Sequence, residues 1–142
     1  MSHEGIRPIP QLPPLEGELA DDVAETMQAL ASPTRLRILA RLERAPAPVN
    51  ELASMLGVDP SAVSHQLRQL RHLNLVKGTR RGNQVIYSLH DDHVAVLLAE
   101  AVGHVTHVRI DELNRTIEQA GGATAPTTRE PDRRAARRTR RR

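Results

Sequence analysis

Gly57, followed at once by Val58 and the Asp59-Pro60 step, cuts a helix-forming stretch in two and fixes how the pieces can lie. Asn50 is placed to cap a short helix over Glu51 to Leu56, and Gly57 stands where a left-handed residue ends one. Asp59-Pro60 then opens a second helix running to about Leu73, since proline is accommodated in a first helical turn. Two helices joined by a turn of about three residues containing glycine have the spacing of a helix-turn-helix.

In the second of these helices Val63, Leu67 and Leu70 recur at i, i+4 and i+7 and must face a core. At ~100° per residue, Ser61, Ser64, His65 and Arg68 then gather on the opposite face, with His72 at its far end. Short hydrogen-bonding side chains near the N-terminus and bases farther along suit a recognition helix entering a DNA major groove. Leu75-Val76 and Val85 to Leu89 read as two short strands around Arg80-Arg81-Gly82-Asn83. A hairpin directly after a recognition helix is a wing, and Arg80 and Arg81 at its tip would meet phosphate or a narrow minor groove. Lys77 adds to that field.

The remainder of the folding unit reads as helix. Leu19, Val23, Met27 and Leu30 give an amphipathic first helix with Asp21 and Asp22 near its start. Ser32-Pro33 caps a second, whose expected buried stripe is Leu36, Ile38, Leu39 and Leu42. The predicted fold class is therefore mainly α with a small β-hairpin wing, a winged helix-turn-helix. Residues 1–15, with Pro8, Pro10, Pro13 and Pro14, are expected to form a flexible arm, 16–119 the folded domain, and 120–142 a disordered Arg-rich tail.

Charge follows the same divisions. The 142 residues carry a net charge of only +3. Residues 33–90 hold nine bases and three acids, whereas 91–119 hold two bases and six acids, so the basic field centres on the winged segment. The tail has eight arginines and two acids, an arm suited to non-specific polyanion binding. With no cysteine there is no disulfide framework, thiolate zinc site or cysteine nucleophile. No apolar run reaches the ~18 to 20 residues of a membrane span, and no signal-peptide layout opens the chain. A cytoplasmic protein with no membrane partner is expected.

Ala31-Ser32-Pro33-Thr34-Arg35-Leu36-Arg37-Ile38-Leu39, then Ser61-Ala62-Val63-Ser64-His65-Gln66-Leu67-Arg68-Gln69-Leu70, then Val85-Ile86-Tyr87-Ser88-Leu89, resemble the ArsR/SmtB family of winged-helix metal-sensing repressors. The resemblance covers about residues 19 to 110. It implies a homodimer through the first and last helices, double-stranded operator DNA as partner, and DNA contacts at the positions of Ser61, Ser64 and His65.

The last helix carries the candidate metal chemistry. Val94, Leu98, Ala101, Val105 and Val108 alternate at four and three residues, a seam for pairing with a partner helix. His104 and His107 lie one turn apart and can chelate one ion. His93 lies on the same side but ~16 Å away along the axis, beyond the reach of one ion within one helix. Two such helices running antiparallel across a two-fold axis solve the problem, because Asp91 and His93 of one subunit then meet His104 and His107 of the other. This pattern resembles the last-helix site of the zinc- and nickel/cobalt-sensing branches, most closely the latter. The sensed effector is accordingly Ni(II)/Co(II) or Zn(II). One carboxylate and three imidazoles satisfy tetrahedral Zn(II), whereas six-coordinate Ni(II) or Co(II) would draw further ligands from the α-amine of Ser2, once Met1 is removed, and His3. The nickel/cobalt branch can carry extra histidines beyond the pair, and none follows His107 here.

The resemblance also implies a link from His104 to a backbone carbonyl near Asn74. Linkage requires that a metal favouring the DNA-incompetent dimer weaken DNA binding reciprocally, by ~1 to 3 kcal/mol, or ~5- to 150-fold. The alternative is a winged-helix regulator with a non-metal input. No glycine-rich phosphate loop is present and the metal constellation leaves no plain open position for substrate, so neither an enzyme nor a small-molecule substrate is expected.

Overall fold

A computed structural model describes residues 11–121. The expectations for residues 1–10, His3 among them, and for the arginine run beyond Gly121 lie outside the described residues. Within them, five helices and three strands follow in the order α1 (Gly17–Leu30), α2 (Pro33–Arg44), β1 (Ala47–Pro48), α3 (Val49–Leu56), α4 (Pro60–His72), β2 (Val76–Arg81), β3 (Gln84–Leu89) and α5 (Asp92–Gly121). The described residues divide into two units, the first ending at Ala101 and the second beginning at Val102.

The first unit is built on the expected helix-turn-helix. Gly57 takes φ 68°, a value a residue with a Cβ adopts only at a cost, and the Val58 N–H returns to the Ala53 carbonyl at 3.2 Å to close α3. The helix begins earlier than expected, however. Val49 is already helical and Pro48 occupies the cap position, so Asn50 lies inside the first turn and does not cap it. Asp59 precedes Pro60 at the start of α4 as expected, without a side-chain cap bond.

The end of α4 is a Schellman arrangement. Asn74 is left-handed at φ 54°, the Leu75 N–H bonds the Leu70 carbonyl at 2.9 Å, and the Asn74 N–H bonds the Arg71 carbonyl at 3.1 Å. Asparagine is among the few residues other than glycine that visit this region readily. The turn drops Leu75 and Val76 into the core and starts the wing without a further linker.

Val63, Leu67 and Leu70 of α4 are fully buried and meet Ile38, Leu39 and Leu42 of α2, Leu52 and Ala53 of α3, Leu75 and Val76, and Val94 and Leu98 at the start of α5. Leu36 departs from the expected stripe of α2 and is exposed. Ile38, Leu39 and Leu42 already cover the core-facing arc, and Leu36 falls ~160° from Ile38. Arg41 fastens α2 to α3, bonding the Ala45 carbonyl at 2.8 Å and pairing with Glu51.

The sheet has one strand more than expected. Ala47 pairs with Tyr87 and Pro48 with Ile86, giving the antiparallel order β1-β3-β2. The hairpin pairing runs from Val76↔Leu89 to Arg81↔Gln84, so the turn is Gly82-Asn83 alone and the strands are longer than the sequence implied. Gly78 lies opposite Tyr87, and a Cβ there would come within 2.8 Å of Val85 Cγ1 and 3.3 Å of Tyr87 Cε1. Its bare backbone lets the ring of Tyr87 lie across β2, the arrangement by which aromatics compensate glycine in strands.

Helix α1 buries only Ala29, near its C-terminal end, while Leu19 and Met27 of its expected stripe remain exposed. In the second unit, α5 carries exposed Val102, Val105, Val108, Ile110, Leu113 and Ile117. No helix among the described residues is long and apolar enough to cross a membrane.

Candidate functional site

The outward face of α4 is a consequence of its inward one. Burying Val63, Leu67 and Leu70 leaves Ser61, His65 and Arg68 exposed and Ser64 half-buried, so all four candidate contact residues share the side away from the core. Arg68 also borders a groove of about 490 Å3 between α1 and α4, lined by Glu25, Gln28, Arg35, Gln69 and His72.

Sequence reasoning missed the residues that hold this face in place. Arg35, in the first turn of α2, donates through Nη1 to Oε1 of Gln66 at 3.1 Å and of Gln69 at 3.3 Å. Its other nitrogens bond the carbonyls of Gln28, at 3.4 Å, and Ala29, in the last turn of α1. Gln69 Nε2 lies 3.4 Å from His65 Nε2. The only signal in the sequence is the i, i+4 spacing of His65 and Gln69, because the Arg35 bonds span separations of 31 and 34 residues.

Arg80 and Arg81 are exposed and lie at the end of β2, opposite Val85 and Gln84, rather than in the turn. Strand alternation therefore sends their side chains to opposite faces of the wing. Lys77, Thr79 and Arg81 share one face, whereas Arg80 lies on the side of Gly78 and its Nε reaches the Gly82 carbonyl at 3.4 Å. Two differently directed cations replace the expected paired tip.

The candidate metal ligands divide between the two units. In the first, Asp91 Oδ1 accepts the N–H groups of His93 at 2.9 Å and Val94 at 3.4 Å, capping α5. The same oxygen lies 3.5 Å from His93 Nδ1, and the imidazole is 96% exposed. In the second unit, His104 and His107 follow one turn apart, both exposed. His107 Nε2 lies 3.6 Å from Asp111 Oδ2 one turn farther on, a neighbour that the i, i+4 spacing of histidine and carboxylate would have disclosed. Among the described residues of one chain, no three histidine or acidic side chains converge on a common point. As donors, one carboxylate and three imidazoles fit Zn(II), Co(II) or Ni(II).

Comparisons with known proteins bear first on the segment from α2 into the wing. Residues 32–77, from the cap of α2 into the wing, match the profile described as "Bacterial regulatory protein, arsR family". The HTH-type transcriptional regulator NmtR of Mycobacterium tuberculosis is 53% identical over 97 residues, which cover 68% of this chain and 81% of that protein. The chain belongs to the ArsR family. The ArsR-family match extends to solved structures. The solution structure of apo-NmtR superposes with a TM-score of 0.58 at 50% identity, covering 73% of this chain and 88% of that one. A possible ArsR-family regulator fragment from Mycobacterium bovis, described as a homodimeric winged helix-turn-helix DNA-binding domain, gives a TM-score of 0.62 at 28% identity, over 73% and 95% of the two chains. As an ArsR-family member the chain is a transcriptional regulator with a winged helix-turn-helix fold, not an enzyme.

Proposed function

We propose that the chain is a cytoplasmic, metal-responsive transcriptional repressor that binds operator DNA as a homodimer and is released when Ni(II)/Co(II) or Zn(II) binds between subunits. The observation that carries the reading is the division of donors along α5. Asp91 and His93 stand side by side at its cap, and His104 and His107 form a second pair beyond Ala101. Each pair supplies half of a four-coordinate set, and an antiparallel second copy joins Asp91 and His93 of one subunit to His104 and His107 of the other.

The exposed apolar residues of α1 and α5 supply the dimer surface in this reading, in keeping with the homodimeric M. bovis fragment. Ser61, Ser64, His65 and Arg68 face a major groove, and Arg80 and Arg81 meet the backbone on either side of the wing. A metal that holds the two α5 helices in one arrangement shifts the dimer only by its differential affinity for that arrangement. His3 and the α-amine of Ser2 remain further candidate donors for a six-coordinate ion. Residues 16–119 act as the dimeric sensing domain in this reading, and the arginines of 120–142 add non-specific affinity for DNA.

The test is a gel shift on a palindromic operator with Zn(II), Ni(II) and Co(II) added separately, using the full chain and a version lacking Ser2-His3. Release by one of these metals, with stoichiometric binding lost in His107→Ala, is expected. Failure of all three to bind stoichiometrically would leave a winged-helix regulator with a different input. Equal nickel response in both versions would remove the N-terminal donors from the site.

A further inference from the structure

The guanidinium of Arg35 has donors and no acceptor, so of a glutamine amide it can bond only the oxygen. Gln66 and Gln69 therefore both turn Oε1 toward Arg35, at 3.1 and 3.3 Å. The remaining Arg35 nitrogens bond the carbonyls of Gln28, which also accepts the Ala31 N–H at 3.1 Å, and of Ala29, both in the last turn of α1 where i, i+4 partners run out. The orientation of the Gln69 amide is thus dictated from outside α4, and its NH2 group is the part presented to His65.

That orientation decides the state of the imidazole. A neutral histidine carries its proton on one ring nitrogen and accepts on the other, and the bond made by one nitrogen selects which. Gln69 Nε2 stands 3.4 Å from His65 Nε2, and an amide NH2 facing that nitrogen requires it to accept. The proton then resides on Nδ1. We propose that Arg35 and Gln69 form a relay that holds His65 as the Nδ1–H tautomer, leaving it a single polar contact to offer, and that contact a donor. Arg35 and Gln69 are positioning residues that act through His65.

Resting on the placement of α4 in a major groove proposed above, the relay sets what His65 reads. A donor pairs with guanine N7 or O6, adenine N7 or thymine O4, and is mismatched against the exocyclic amines of cytosine and adenine. The relay begins at the C-terminal turn of α1, so a shift of that helix reaches the base-reading face through hydrogen bonds as well as through packing.

The test is long-range proton–nitrogen NMR of full-length protein in alkaline buffer, where imidazoles are neutral, beside operator binding across single-base-pair variants. Wild-type protein should show His65 protonated at Nδ1. Gln69→Glu retains an acceptor for Arg35 but presents an oxygen to the ring, so His65 should invert to the Nε2–H form. Base preference at one operator position should then change about tenfold, at the lower end of the discrimination a base contact supplies. Gln66 bonds Arg35 but not His65, so Gln66→Leu should leave the tautomer as it is. An Nε2–H form in wild-type protein, or an unchanged tautomer in Gln69→Glu, would overturn the relay. Inversion with unaltered base preference would overturn its role in reading. Absence of any operator footprint from the wild-type protein would instead refute the placement of α4.

Discussion

The first unit and the α5 segment beyond Ala101 are both largely helical, yet they are stabilised differently. In the first, Ile38, Leu39, Leu52, Val63, Leu67 and Leu70 have no exposed surface, and Arg35 and Arg41 tie helices together across the chain. In the second, every residue whose exposure is described is exposed, including Val105, Val108 and Leu113. A helix gains most of its stability from packing an apolar face, and isolated helices shorter than ~12 to 15 residues are marginal in water. The contrast separates a winged helix-turn-helix unit that contains its own core from a helix segment whose apolar residues are exposed. Under the function proposed above, coupling between DNA and a sensed ion then needs only that the second region change its covering.

Damage to each region in turn should have separable effects. Leu67→Ala should lower stability by about 2 to 5 kcal/mol, the range for truncating a buried leucine, measured by denaturant unfolding. Val105→Asp should leave the unfolding of the first unit nearly unchanged. It should shift the dimer toward monomer by about 1 to 3 kcal/mol, read by sedimentation equilibrium, through burial of a poorly compensated polar group. Loss of the core transition in Val105→Asp would mean that the two regions share one folding unit.

Smaller effects sharpen the division. His104→Gln should abolish the metal-dependent loss of operator affinity, a coupling of about 1 to 3 kcal/mol, and titration calorimetry would show whether binding persists. Release at unchanged metal affinity would refute a path from His104 to the region of Asn74. Asp91 has two roles that substitution can separate. Asp91→Ala removes the cap of α5 and should cost about 1 kcal/mol in thermal unfolding. Asp91→Asn keeps an acceptor for the His93 and Val94 N–H groups, so it should weaken metal binding with little effect on stability. Arg81→Ala should have the mildest effect, lowering affinity uniformly across operator variants and reducing the salt slope by about 1.

The parts of the fold legible in the sequence depend on neighbours close along the chain. Gly57, Pro60 and the spacing of Val63, Leu67 and Leu70 specify two helices and their inward faces locally, and Val85 to Leu89 reads as a strand from its residue types. Strand β1 was not legible, since a two-residue Ala-Pro segment has no pattern and becomes a strand only by pairing with Tyr87 and Ile86. The capping role expected of Asn50 gave way because the chain leaving β1 is already aligned to begin the helix at Val49. The candidate α4 face followed from the core pattern, but Arg35 did not. Nothing near it in sequence announces partners on α1 and α4.

The ring of Tyr87 over Gly78 has an optical consequence. Tyr87 is the sole tyrosine of the chain, which has no tryptophan to drain its excited state. Its intrinsic emission is therefore a single-site signal from the wing. Any rearrangement of β2 against β3 on meeting DNA or an ion is open to observation in the unlabelled protein, and Gly78 marks where a side chain would displace that reporter.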